Sequence, residues 1–242
     1  MAALPGIVVA RLPSDGHASD LFKVRVGPDV LVLKVPTRGS DSCGSMRARE
    51  WVFGRLAERM SLPVLPVSAV EVDPAALLRE ACGSLDLRGH RTFTATPLVE
   101  LGAKLRWEEM PLSERLALFL WSCATSLGDG DRIRRQGPRD VYRCATSAQQ
   151  RIMLDYEALP DVWDSVLVRS APLTAPDQAP DWLFGGGLPE AEAVVEEALG
   201  CFDSDTWKYI VDGLHYFWPG RIDPLRDEMR RRVDVAAQRL RR

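Results

Sequence analysis

Arg49-Glu50-Trp51-Val52-Phe53-Gly54-Arg55-Leu56-Ala57-Glu58-Arg59-Met60-Ser61-Leu62-Pro63-Val64-Leu65-Pro66 sets the reading of the whole chain. Trp51, Val52, Leu56 and Met60 recur at helical spacing, while Glu50, Arg55 and Glu58-Arg59 fill the other face. Ser45 or a neighbour can cap this helix, and Leu62-Pro63 stops it. Val64 to Val72 then reads as a strand, which Pro66 confines to a sheet edge because proline donates no ladder hydrogen bond.

Upstream lie three apolar runs rich in β-branched residues: Ile7 to Ala10, Leu21 to Val26 and Val30 to Val35. Gly27-Pro28-Asp29 joins the last two as a hairpin, and Lys34 is expected at the end of the apolar strand Val30-Leu31-Val32-Leu33-Lys34. Pro36 to Gly44 is a loop by composition. Arg91 to Val99 is a further strand, so the chain to about Gly102 reads as a small sheet carrying one helix. The character then changes. A helix runs from Pro111 to about Ser126 and meets an acidic turn, Gly128-Asp129-Gly130-Asp131-Arg132. Val141 to Ala145 and Arg151 to Leu154 read as two strands joined by a polar hairpin, Thr146 to Gln150. Asp155 follows the second of them directly. After a stretch rich in Pro, Asp and Gly, helices are expected over Pro189 to Leu199, Ser204 to Tyr216 and Pro224 to Leu240. The fold class expected is α+β, with residues 1–102 as a sheet-rich front and 103–242 as a helix-rich back.

Composition narrows the function classes. With 46% hydrophobic and 27% charged residues the chain reads as globular, and a net charge of −3 gives no general attraction to nucleic acid or anionic membrane. The basic segment Arg230-Arg231-Arg232 reads as a solvated helix face. Five scattered cysteines form no Cys-x-x-Cys pair, which argues against a zinc site. Their odd number, without a signal-like leader, makes a cytoplasmic protein with reduced thiols the expectation. No apolar run is long enough to span a bilayer.

Lys34, Glu50, an acidic turn and Asp155 occur in the order of the working parts of kinase-type phosphoryl transfer. That chemistry needs positive charge on the α- and β-phosphates, a divalent metal, and a group that orients the acceptor hydroxyl. Lys34 can supply the charge, and Glu50 can orient it through an ion pair. Asp155 is a hard oxygen ligand for magnesium, and Asp131 can position or deprotonate the attacking hydroxyl. Ser14, Gly16 and Ser19 lie in a polar turn whose N–H and hydroxyl groups can cover phosphates, although the turn has no Gly-x-Gly-x-x-Gly pattern.

These pieces resemble the small HipA-like kinases. Arg49 to Pro66 is similar to their Asn-Glu-Trp helix leading into Leu-Gly-Leu-Pro-Val-Pro, and Gly128 to Arg132 resembles their Asn-x-Asp-Arg catalytic turn. Met153-Leu154-Asp155-Tyr156-Glu157 resembles their Ile-Asp-His-Gly strand end, and the closing helices with Trp207 and Arg230-Arg231-Arg232 look like the end of the family. The resemblance implies a two-lobed protein-kinase-like fold related to the phosphoinositide kinases, with ATP and magnesium in its cleft. It implies Lys34 as the phosphate-binding lysine, Glu50 as its helix partner, Asp131 as the catalytic aspartate and Asp155 as the metal ligand. Val99 to Leu101, centred on Glu100, would meet the adenine. The family's second metal ligand, an asparagine, falls at Gln136, whose side chain is one carbon longer.

Two neighbouring readings stay open. A kinase-shaped module that holds nucleotide or a partner without turnover is compatible with Gln136 in the asparagine position. Aminoglycoside-phosphotransferase-like kinases share the Arg-Glu helix and an Ile-Asp-Trp-Glu strand end that Leu154-Asp155-Tyr156-Glu157 echoes; under that reading Asp129 is the base. The acceptor, a protein or a small molecule, is not encoded in any readable pocket.

Overall fold

The computed structural model of the chain describes residues 2–13, 19–37, 45–81, 85–87, 89–106, 109–126, 141–145, 147–153, 162–168 and 188–240. Two compact units emerge, each built from separated stretches. One comprises 1–52, 65–99 and 211–219, the other 53–64, 100–210 and 220–242.

The first unit is organised on a six-stranded sheet of β1 (Leu4–Pro5), β2 (Ile7–Leu12), β3 (Ser19–Val26), β4 (Asp29–Pro36), β5 (Ser68–Glu71) and β6 (Thr92–Pro97), in the order β1-β5-β6-β4-β3-β2. β3 and β4 pair antiparallel with Phe22 opposite Leu33 and Val24 opposite Leu31. Gly27 turns the chain between them at φ +57°, a conformation that matches the twist of the flanking strands. Alternation along the strands sends Phe22, Val24, Leu31, Leu33, Val35, Phe93 and Ala95 into one core with Val70, Val72 and Leu77. Burying these side chains is worth about 1.5–3 kcal/mol for each large one.

Several expectations are corrected here. The strand expected over Val64 to Val72 is only β5, and Pro66 lies outside it. β5 is not at an edge, because β1 pairs parallel with its free side. Lys34 does not end its strand; β4 continues to Pro36, so Lys34 sits between Leu33 and Val35, both fully buried. The front carries a second helix, α2 (Pro74–Glu80), beside α1 (Met46–Arg59). Asp73 caps α2 by accepting from the N–H of Ala75, and Pro74 takes the first turn, where a missing N–H costs nothing.

α1 is not half wet. Glu50 and Arg55 are buried, as are Arg47 and Arg49, and only Glu58 and Arg59 near its end are exposed. The helix closes with Ser61 at φ +56°: the Leu62 N–H reaches the Ala57 carbonyl at 3.0 Å and the Ser61 N–H reaches Glu58 at 3.1 Å. That pair of bonds is the Schellman pattern, with serine in the position glycine usually takes.

In the second unit β7 (Leu101–Lys104), β8 (Val141–Cys144) and β9 (Ser147–Met153) form a three-stranded antiparallel sheet. β7 was not foreseen, and β9 begins at Ser147, so Ser147 to Gln150 belong to a strand rather than to a hairpin loop. α3 (Leu112–Thr125) is buried continuously from Leu116 to Thr125 and packs against α4 (Leu188–Gly200) and α6 (Asp223–Leu240). The helix expected over Ser204 to Tyr216 is broken into α5 (Ser204–Val211) and a 3₁₀ turn, Leu214–Tyr216. Gly213 makes the break: its φ is +88°, and a Cβ there would meet the Trp51 ring at 2.9 Å. The arginine run of α6 is not uniformly solvated either, since Arg232 is fully buried. No described helix is long and apolar enough to cross a membrane.

Candidate functional site

Lys34 and Glu50 meet. The period of two that buries Leu33 and Val35 turns Lys34 to the opposite face of the sheet. Its Nζ lies 2.6 Å from Glu50 Oε1, with the lysine side chain 30% exposed and the glutamate 6%. Glu50 stands one turn into α1, where the Ser45 carbonyl accepts the first helical hydrogen bond from Arg49. A carboxylate this buried needs compensation, and it has two sources: the ammonium on one oxygen and a hydroxyl on the other. Thr94 Oγ1 donates to Glu50 Oε2 at 2.5 Å. Thr94 reaches it because of the β4–β6 register. Leu33 pairs with Ala95 and both enter the core, so one step along, Lys34 and Thr94 leave from the other face. The helix start is tied to the same strand by Arg47, whose guanidinium lies 5.4 Å from the centre of the Phe93 ring and donates to the Thr92 carbonyl at 3.5 Å.

The other expected residues divide into two groups. Ser19 opens β3 opposite Pro36, and Glu100 is exposed, its carbonyl accepting the Ala145 N–H at 2.9 Å. Ser14, Gly16, Asp129, Asp131, Gln136 and Asp155 lie outside the described residues. The described chain approaches the acidic turn through Ser126, after α3, and approaches Asp155 through Met153, the end of β9. Among the described residues no group of three or more His, Cys, Asp or Glu side chains is arranged to hold a metal.

Two residues of consequence escaped the sequence reading. Thr94 left only a faint signal, the alternation Thr92-Phe93-Thr94-Ala95-Thr96 that puts the threonines on one face. Arg232 Nε donates to the Cys123 carbonyl and its Nη2 to the Ser126 carbonyl, each at 2.7 Å. A buried guanidinium thus satisfies carbonyls at the C-terminal end of α3, where a helix has no partners of its own.

No protein-family model matches the chain. No curated protein sequence matches it either. Among solved structures it is similar to the Helicobacter pylori proinflammatory kinase CtkA, with a TM-score of 0.52 and 10% identity over 96% of this chain and 95% of that one. With the mixed sheet and helix content, this likeness gives the chain an α+β, protein-kinase-like fold.

Proposed function

We propose that the chain is an ATP-dependent phosphotransferase of the HipA-like kind, moving the γ-phosphoryl group of ATP to a hydroxyl of a protein or small molecule. The observation that carries this is the ion pair of Lys34 with Glu50, strand to helix, on a kinase-like fold. Lys34 would bind the phosphates as a fixed cation, and Glu50 would hold it in place. Asp155 and Gln136 would hold magnesium, and Asp131 would orient the acceptor hydroxyl and take its proton. Magnesium-bound ATP supplies the transferable phosphoryl group. The lysine–glutamate pair fits such a ligand, since the ammonium is a third exposed while its partner carboxylate is not.

Thermal unfolding with millimolar Mg-ATP tests the binding half. The wild type should gain stability as ligand exceeds its dissociation constant, about 2.7 kcal/mol at a hundredfold excess, and Lys34→Met should gain none. Equal stabilisation of both would remove Lys34 from the site. Asp131→Asn should spare ATP affinity and lower turnover, whereas unchanged turnover would move the base to Asp129.

A second reading is favoured by Gln136 standing where the family has asparagine. In it the chain binds nucleotide without turning it over. Magnesium-dependent ATP hydrolysis that disappears in Asp155→Ala supports the enzyme; binding without hydrolysis or transfer supports the module.

A further inference from the structure

We infer that Thr94 is a positioning residue of this site, acting on Lys34 through Glu50. The inference rests on the nucleotide reading for its purpose and on geometry alone for its substance. A glutamate side chain one turn into a helix has three rotatable bonds and two equivalent oxygens, so an ion pair at one oxygen does not fix its plane. Thr94 removes that freedom. Its hydroxyl donates to Oε2 at 2.5 Å while Oε1 accepts from Lys34 at 2.6 Å. Thr94 is 3% exposed and rotamer-restricted by its branched Cβ, so the hydroxyl has little freedom. The carboxylate is therefore held from both sides by neighbouring strands, β4 through Lys34 and β6 through Thr94. Both strands belong to the antiparallel pair fixed by Leu31 opposite Pro97, Val32 opposite Thr96 and Leu33 opposite Ala95. With Oε2 committed to a neutral donor, Oε1 is the oxygen left to face the ammonium, and the lysine is presented in one place. The function would be to keep a cation ready for phosphate before the nucleotide arrives.

Thr94→Val removes the hydroxyl at nearly constant shape, and Thr94→Ser restores it. Limited acylation of the folded, nucleotide-free protein by N-hydroxysuccinimidyl acetate, read peptide by peptide, reports how tightly Lys34 is held, with Lys23 and Lys208 as internal references. Thr94→Val should speed acylation of Lys34 about tenfold relative to those lysines, the worth of one hydrogen bond to a charged group, and Thr94→Ser should stay near the wild type. In a Glu50→Gln background Thr94→Val should add nothing, since its effect runs through the carboxylate. Mg-ATP affinity measured by titration calorimetry should weaken by about the same tenfold in Thr94→Val. A merely structural threonine would lower the unfolding midpoint and leave Lys34 reactivity unchanged. That result, or an equal effect of Thr94→Val with and without Glu50, would overturn the inference. Failure of the wild type to bind Mg-ATP would overturn the nucleotide reading only, because Lys34 acylation still decides the role of Thr94.

Discussion

A lysine between two fully buried aliphatic residues has one direction left for its charge. Leu33 and Val35 take the core side of β4, and Lys34 takes the other. What waits there is a carboxylate 6% exposed, so removing the lysine strands a charge in a poor solvent. Lys34→Met should therefore cost about 1–3 kcal/mol in urea unfolding. The double variant Lys34→Met, Glu50→Gln should recover part of that loss, because neither half of the pair is then left alone. A double variant as unstable as the sum of the single ones would show that the two side chains are not coupled. Both residues were legible in the sequence: Lys34 stood out in an apolar run and Glu50 at the start of an amphipathic helix. Thr94 was not, since a hydroxyl in a strand carries no mark of what it will bond. Asp131, Gln136 and Asp155 remain readings of the sequence and its resemblance.

At the scale of elements, the sequence placed the strands and helices better than it placed their wet sides. α1 looked amphipathic because arginine and glutamate filled one face, yet Arg47, Arg49, Glu50 and Arg55 are all buried. Polarity predicts solvation only where no partner is near. Arg55 and Arg59 both lie against the Tyr209 ring, 4.1 and 3.8 Å from its centre, a contact no helical period can announce. The arginine run of α6 shows the same limit. Leu225, Met229, Ala236 and Leu240 are buried, and Arg232 falls in phase with them, so the helical period held the clue. Arg231 is half exposed and pairs with Glu228 on the same helix at 2.7 Å. Two adjacent arginines should thus behave oppositely. Arg232→Met should cost about 2–4 kcal/mol by leaving buried carbonyls at the end of α3 unsatisfied, while Arg231→Met should stay within about 0.5 kcal/mol. Equal urea midpoints for the two variants would contradict the clamp. α2 was missed altogether, although Asp73-Pro74 carries both a capping carboxylate and a first-turn proline.

At the scale of the molecule, the change in period after Gly102 carried the α+β reading of the sequence, and the likeness to a solved kinase gives the fold as α+β and kinase-like. The compact units are not simple halves of the sequence. The stretch 211–219 belongs to the same unit as the six-stranded sheet, where Phe217 lies 5.3 Å from Trp51 between ring centres. No local pattern reveals such a return. The close fit of Gly213 beneath Trp51 is its signature, and Gly213→Ala should lower stability by about 2 kcal/mol or more through both the clash and the left-handed backbone; an unchanged thermal midpoint would refute that. Burial pushes the Cys201 thiol up to about 12, with the Glu197 carboxylate adding to the effect, so this cysteine should resist alkylation at neutral pH until the protein unfolds.

The chain has four lysines, Lys23, Lys34, Lys104 and Lys208, which allows a direct test of the proposed nucleotide site. An acyl-phosphate ester of ATP transfers its acyl group to an amine held beside the bound phosphates: the lysine nitrogen forms an amide and ATP leaves. Mass spectrometry of the labelled chain should find the acyl group on Lys34, with labelling suppressed by Mg-ATP and absent in Lys34→Met. Labelling confined to the other three lysines, or labelling of Lys34 that excess Mg-ATP does not reduce, would contradict Lys34 as the phosphate-binding cation.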